Sequence, residues 1–155
     1  GDVLVIAVSA DNTDGMVGEL IATSAKARGV KGLVIDAGCR DVRALTEMKF
    51  PLWSRAVSAH GTVKSTLGNV NMPVVCAGAS VRAGDVIVAD DDGVVVVPCA
   101  EAQAIAALAR QRLEKENKSR ERLAAGELTL DMAGMRPNLE KLGLRYVDTL
   151  DQADS

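Results

Sequence analysis

Apolar residues at the start of the chain come in short β-branched runs, each followed by residues that pick up helical spacing. Val3-Leu4-Val5-Ile6-Ala7-Val8 is uninterrupted by any polar position, the pattern of a strand covered on both faces. Ser9 to Gly15, rich in Asp, Asn and Thr, reads as a turn. From Gly18 to Arg28 the residues Leu20, Ile21, Ser24 and Ala27 recur at helical spacing and Gly29 supplies the stop. The unit then repeats. Gly32-Leu33-Val34-Ile35-Asp36 predicts a second buried strand, Ala37-Gly38-Cys39 its exit loop, Asp41 to Met48 a short helix and Pro51 to Val57 a third strand. Strands alternating with helices predict an α/β fold with parallel, right-handed connections.

Beyond Val57 the rhythm changes. His60 to Val70 is rich in Gly, Ser, Thr and Asn and reads as a surface excursion, followed by a strand at Pro73 to Ala77 and a turn at Val81 to Asp85. Val86-Ile87-Val88-Ala89 and Val94-Val95-Val96-Val97 flank Asp90-Asp91-Asp92-Gly93, and Asp-Gly between β-branched runs is a strong hairpin signal. Pro98 ends the hairpin. Ala100 to Leu123 predicts the longest helix, with Ile105, Leu108 and Leu113 on one face and the charges from Arg110 to Arg122 on the others. Gly126 closes it, and Asn138 to Leu142 predicts one more short helix. The pattern is that of one layered domain over residues 1–155, with residues 99–155 forming a C-terminal helix and tail.

Composition narrows the function classes. The chain has 155 residues, 48% of them apolar, enough for one core that excludes water. A net charge of -3 with only 2% aromatic residues argues against a nucleic-acid partner, which would want a basic face interleaved with stacking rings. No apolar run approaches the roughly 18 residues of a membrane span and no signal-like segment opens the chain, so the expectation is a cytoplasmic protein with no membrane partner. Cys39, Cys76 and Cys99 are odd in number, widely spaced and in or beside apolar runs, which suits reduced core thiols.

Candidate chemistry sits where the βα units turn. The amides of Gly18-Glu19-Leu20-Ile21 open a helix, and free N–H groups there, helped by the helix dipole, can hold a carboxylate or phosphate. The bland alternative is a glycine before an ordinary helix. Arg40 and Asp41 follow the second buried strand, at the strand end where open α/β sheets carry ligands. A carboxylate with water suits Mg²⁺ or Mn²⁺, while a guanidinium can hold an enolate oxygen. The alternative is a solvated turn, with Asp41 as N-cap of the next helix. His60, the single histidine, reads as a solvated or core-edge residue; Asp90, Asp91 and Asp92 read as turn residues.

Taken together, Gly18-Glu19-Leu20, the segment Gly32 to Asp41, the hairpin Gly84 to Pro98 and the tail Leu142-Gly143-Leu144-Arg145-Tyr146-Val147-Asp148 resemble the 4-hydroxy-4-methyl-2-oxoglutarate / 4-carboxy-4-hydroxy-2-oxoadipate aldolases. These are metal-dependent (class II) pyruvate aldolases of protocatechuate degradation. The resemblance implies a layered β/β/α swivelling-type domain that cleaves 4-hydroxy-2-oxo acids to pyruvate and a second oxo acid, pyruvate or oxaloacetate, with oxaloacetate decarboxylation as a side activity. It implies that the amides of Gly18, Glu19, Leu20 and Ile21 hold the pyruvate carboxylate and that Arg40 binds the enolate oxygen. Asp41 would be the protein ligand of Mg²⁺ or Mn²⁺, with Glu19 near the same water shell. Glu116 would reach that shell from a neighbouring subunit of a homotrimer or homohexamer. The resemblance also implies an N-terminal portion of roughly half this length ahead of Gly1. The same fold and Arg-Asp region resemble the regulator of ribonuclease E activity, a non-catalytic trimeric binding protein. A quinone methyltransferase is unsupported, since no glycine-rich loop follows the first strand.

Overall fold

A computed structural model describes residues 1–149, which fall into two compact units, one spanning Gly1–Ile105 and one beginning at Ala106. The first unit is built on four parallel strands, β1 (Val3–Ile6), β2 (Gly15–Val17), β3 (Gly32–Cys39) and β4 (Leu52–Val57), connected through helices α1 (Glu19–Ala27) and α2 (Val42–Glu47). β3 is the axis. β4 runs along one edge of it from Leu33 to Cys39, and the other edge is shared end to end by β1, against Gly32 to Ile35, and β2, against Gly38 and Cys39.

Why β3 takes this place follows from its sequence: alternate residues serve two different cores. Leu33, Ile35 and Ala37 pack with Ala22 of α1, Leu45 of α2 and Phe50. Val34 points the other way, into a cluster with Cys76 and Val81 that Val5, Trp53, Ile87, Val94 and Val96 complete. That second layer consists of two antiparallel hairpins, β5 (Val74–Cys76) with β6 (Ala79–Val81), and β7 (Val86–Ala89) with β8 (Val94–Val97). Helices, parallel sheet and hairpins thus form the layered α/β arrangement that the alternating pattern predicts.

Four expectations need correction. Ala37-Gly38-Cys39 is the end of β3 and not an exit loop, because Gly15 and Val17 pair with it on one edge and Ala56 and Val57 on the other. Gly15–Val17, placed in or after a turn, is a strand held by that same pairing. Val81, read as the start of a turn, ends β6 opposite Val74. Cys99 is exposed, whereas Cys39 and Cys76 are buried as expected.

The second unit is helical. α3 (Ala102–Ala124) follows a short 3₁₀ turn at Cys99–Glu101, and the tail adds α4 (Thr129–Met132), which the pattern missed, and α5 (Arg136–Lys141), which starts earlier than expected because Pro137 suits a first turn. Arg122 pairs with Glu127, and Arg136 with Asp131 while its guanidinium lies over the Tyr146 ring. No described helix is long and apolar enough to cross a membrane.

One carboxylate links β3 both to β4 and to the β5–β6 hairpin. Asp36, on the hairpin face of β3, accepts from the Ala77 N–H at 2.8 Å and from Arg55 of β4 at 2.8 Å, and Arg55 also reaches Asp11 at 2.9 Å. Ala77 sits at φ 48 in the β5–β6 turn, an unfavourable conformation for alanine that this hydrogen bond holds in place. The Ala77 amide, and after it Arg55, keeps the Asp36 carboxyl below the usual carboxylate range. A carboxyl depressed in the folded state stabilises it above the ordinary carboxylate pKa and loses that contribution as pH falls through the folded value. The expected outcome is that Tm measured between about pH 6 and pH 2 falls less steeply for Asp36→Asn than for the parent chain. Truncating Leu33, which is fully buried, should cost about 2–5 kcal/mol in denaturant unfolding.

Candidate functional site

The C-terminal ends of β2 and β3 meet the start of α1. The Arg40 N–H donates to the Val17 carbonyl at 2.8 Å, which draws the residue after β3 against the residue that opens α1. That residue is Gly18, buried and extended at φ -143, ψ -166. What makes glycine necessary here is space: a Cβ would stand 2.3 Å from Asp41 Oδ2 and 2.8 Å from Arg40 Cγ.

Asp41 holds the left-handed conformation, φ 58 and ψ 34, at a cost of about 1 kcal/mol or more for a residue with a Cβ, though Asp tolerates it better than most. It occupies the N-cap position of α2 but makes no capping bond there. Its Oδ2 instead accepts the Glu19 N–H of α1 at 3.0 Å. The N-cap expectation is therefore corrected: Asp41 caps the other helix. The same turn aims the Arg40 side chain back along β2, where Nη1 donates to the Gly15 carbonyl at 3.1 Å and Nε stands 3.7 Å from Asp41 Oδ2.

This geometry divides the polar groups into two capacities. On the anion side, the N–H groups of Leu20 and Ile21 lie in the first turn of α1, where no intrahelical carbonyl is available, and the Arg40 side chain is 41% exposed. The Glu19 amide is committed to Asp41, which removes it from the expected cradle of Gly18, Glu19, Leu20 and Ile21. On the cation side, Asp41 Oδ1 carries no hydrogen bond and the side chain is 44% exposed. A single hard carboxylate oxygen beside open space fits a hydrated Mg²⁺ or Mn²⁺ as one ligand among waters. Among the described residues no three His, Cys, Asp or Glu side chains gather to make a larger donor set.

The structure brings Gly18 to Ile21, Arg40 and Asp41 together, and the Glu19 side chain is exposed beside them. Glu116 lies on α3 in the second unit, where it accepts from Arg112 at 2.7 Å. Asp90 is a turn residue, its Oδ1 accepting the Asp92 and Gly93 amides. A cavity of about 530 Å³ opens elsewhere, between sheet and hairpins, lined by Val5, Val34, Trp53, Cys76 and Asp36. Its carboxylate is satisfied by Arg55 and Ala77, and burial pushes the Cys76 thiol up, so volume and reactive chemistry do not coincide.

Among the contacts that sequence reasoning missed is one at the start of β2. His60 Nδ1 lies 2.7 Å from Asp14 Oδ1, and the His60 carbonyl accepts the Gly15 N–H at 2.8 Å. Nothing in local spacing signals a partner 46 positions away.

Comparison with known proteins agrees with this architecture. A Halalkalibacterium halodurans protein that carries the provisional name 4-hydroxy-4-methyl-2-oxoglutarate aldolase is 33% identical over 92% of this chain and 65% of its own length. The chain thus spans about two thirds or less of such relatives. Among solved structures, an uncharacterized protein of Pseudomonas syringae pv. tomato superposes with TM-score 0.74 at 31% identity, covering 87% of this chain and 68% of that one. Streptomyces coelicolor RraAS2, described as an unusual member of the RNase ES inhibitor RraA protein family, gives TM-score 0.70 at 35% identity over 79% of this chain and 63% of its own. A family model covers residues 1–96, which take in the whole parallel sheet, the Arg40 cluster and the hairpins up to Val96 of β8, and by that match the chain belongs to the RraA-like family, Aldolase/RraA.

Proposed function

We propose that the chain is the catalytic portion of a divalent-metal-dependent pyruvate aldolase, a carbon-carbon lyase. Its substrate would be a 4-hydroxy-2-oxo acid of the 4-hydroxy-4-methyl-2-oxoglutarate or 4-carboxy-4-hydroxy-2-oxoadipate type. The observation that carries this reading is the closure of Arg40 and Asp41 over Gly18, which sets a fixed cation, a hard oxygen donor and free helix amides within one small cluster. Retro-aldol cleavage needs those three capacities: an anchor for the C1 carboxylate, a positive charge where the enolate oxygen develops, and a second electrophile beside it.

In this reading the Leu20 and Ile21 amides hold the substrate carboxylate, and Arg40 donates to the C2 oxygen as the C3–C4 bond breaks and the electron pair moves onto the enolate. Gly15, by accepting from Arg40 Nη1, fixes the guanidinium plane so that little reorganisation accompanies the charge. Mg²⁺ or Mn²⁺ held through Asp41 and water would supply Lewis-acid stabilisation of the same oxygen. Glu19 of the same chain and Glu116 contributed by a neighbouring subunit would hold waters of that ion, and on this reading the active form is a homotrimer or homohexamer. Oxaloacetate decarboxylation, which passes through the same enolate, is the accompanying activity. The proposed setting is the cytoplasm, with no nucleic-acid or membrane partner.

A second reading has a specific finding behind it, the likeness to RraAS2: a non-catalytic binding protein that inhibits an RNA-processing nuclease. Pyruvate release from 4-hydroxy-4-methyl-2-oxoglutarate by the full-length protein, followed with a coupled dehydrogenase, separates the two. Release with Mg²⁺ or Mn²⁺ that a chelator stops is the expected result, and no release with either metal would favour the binding protein. Arg40→Ala should lower kcat about 100-fold or more, the usual effect of losing a donor to a developing oxyanion. Gly18→Ala should be comparably inactive while its unfolding transition stays cooperative, because the added methyl displaces the Asp41 carboxylate.

A further inference from the structure

We propose that His60, oriented by Asp14, is the base that takes the C4 hydroxyl proton in the retro-aldol step; this rests on the aldolase reading above and names a group that it leaves unassigned. Among the glycines of the described residues, only Gly15, Gly18 and Gly38 would place a Cβ within 3.0 Å of another described atom. All of these near-collisions involve one neighbourhood. At Gly18 the atoms met are Asp41 Oδ2 and Arg40 Cγ; at Gly15 they include the Ser58 carbonyl at 2.2 Å, with Arg40 Cβ at 3.1 Å; at Gly38 they are the carbonyls of Thr13 and Asp14 at 2.2 and 2.6 Å. Gly15 joins the two sets, since its Cβ would meet both Ser58 and Arg40, and the segment carrying Asp14 closes on β3 at Gly38.

Within that neighbourhood His60 is tied at both ends. Its N–H donates to Ser58 Oγ at 3.1 Å, and its carbonyl accepts the Gly15 N–H at 2.8 Å. Gly15 in turn accepts from Arg40 Nη1 through its own carbonyl, so one residue bridges the histidine backbone to the guanidinium. Asp14 is held as well, its N–H donating to Asn12 Oδ1 at 2.6 Å. A carboxylate can only accept, so the 2.7 Å contact assigns the proton of neutral His60 to Nδ1. The lone pair is then on Nε2, and the side chain is 76% exposed. This is the arrangement by which a carboxylate orients an imidazole as general base and stabilises the imidazolium that forms.

The step balances without any further reagent. His60 Nε2 takes the proton from the C4 hydroxyl, the O–H electrons form the C4 carbonyl, the C3–C4 bond breaks and its pair enters the enolate whose oxygen faces Arg40. The enolate carbon takes a proton from water, and the imidazolium returns its own to solvent, leaving pyruvate and the second oxo acid. Decarboxylation of oxaloacetate makes the same enolate but has no hydroxyl proton to remove, and this gives the test its resolution.

Both reactions would be measured on the full-length protein for the parent, His60→Gln, Asp14→Asn and Arg40→Ala. The expected result is a fall in retro-aldol kcat of about 100-fold for His60→Gln and a smaller fall for Asp14→Asn. KM and the oxaloacetate decarboxylation rate would each change less than about twofold in those two variants, whereas Arg40→Ala would depress both reactions. Equal loss of both reactions in His60→Gln would make the histidine a structural support for the Arg40 cluster and overturn the proposal. Unchanged retro-aldol turnover would overturn it too, while leaving the aldolase reading intact. A parent protein active in neither reaction would instead bring down the aldolase reading, and the proposal with it.

Discussion

The contact on which the site depends is the approach of the Asp41 carboxylate to the first turn of α1, across the space where Gly18 has no side chain. It brings a negative charge to the positive end of a helix, which is favourable by a few tenths to about 1 kcal/mol, and so offsets the left-handed backbone that Asp41 has to adopt. The same turn fixes Arg40, because adjacent residues leaving β3 cannot both point the same way. With Asp41 drawn toward Glu19, the guanidinium is directed along β2 to Gly15. One capping bond thereby sets the positions of both charged groups.

That arrangement needs a rigid base, and β3 supplies it. Its alternate residues are committed to two cores, Leu33, Ile35 and Ala37 against the helices and Val34 against the hairpins. A slip of one residue would exchange the two sets and bury Asp36 among Ala22, Leu45 and Phe50, away from Arg55. The register is therefore strongly specified, and with it the point at which the chain leaves the sheet at Arg40. Asp36 adds a polar check on the same register, since its carboxylate is matched by Arg55 on β4 and by the Ala77 amide in the hairpin turn.

How far the sequence foretold this depends on the range of each contact. The buried strands, α1, α2, the β7–β8 hairpin and α3 were legible because periodicity and turn residues are local properties. β2 and the last residues of β3 were not, since Gly15-Met16-Val17 has no strand pattern of its own and exists by pairing with Gly38 and Cys39. The site shows the same split. Gly18 to Ile21 and Arg40-Asp41 could be named because each sits directly at the end of a βα unit. The helix that Asp41 caps was misjudged because its true partner is 22 positions away, and the Asp36–Arg55 and Asp14–His60 pairs were invisible for the same reason, with separations of 19 and 46.

Charge arithmetic links the proposed ligands to one another. Arg40 contributes +1 and Asp41 and Glu19 each -1, so the cluster formally carries -1 before anything binds. A dianionic oxo acid would meet net repulsion there, and the two free amides of α1 supply only a fraction of a charge. A divalent cation beside Asp41 reverses the sign to +1, and the attraction it adds is strongest for a substrate that offers it an oxygen while its carboxylate reaches Leu20 and Ile21. On the proposed reading, cation and substrate therefore bind as coupled events, each improving the affinity of the site for the other by the same factor. On the same reading the capping of α1 by Asp41 is what would make this coupling necessary: a carboxylate at the mouth of the proposed anion site would keep it poor for anions until a cation accompanied them.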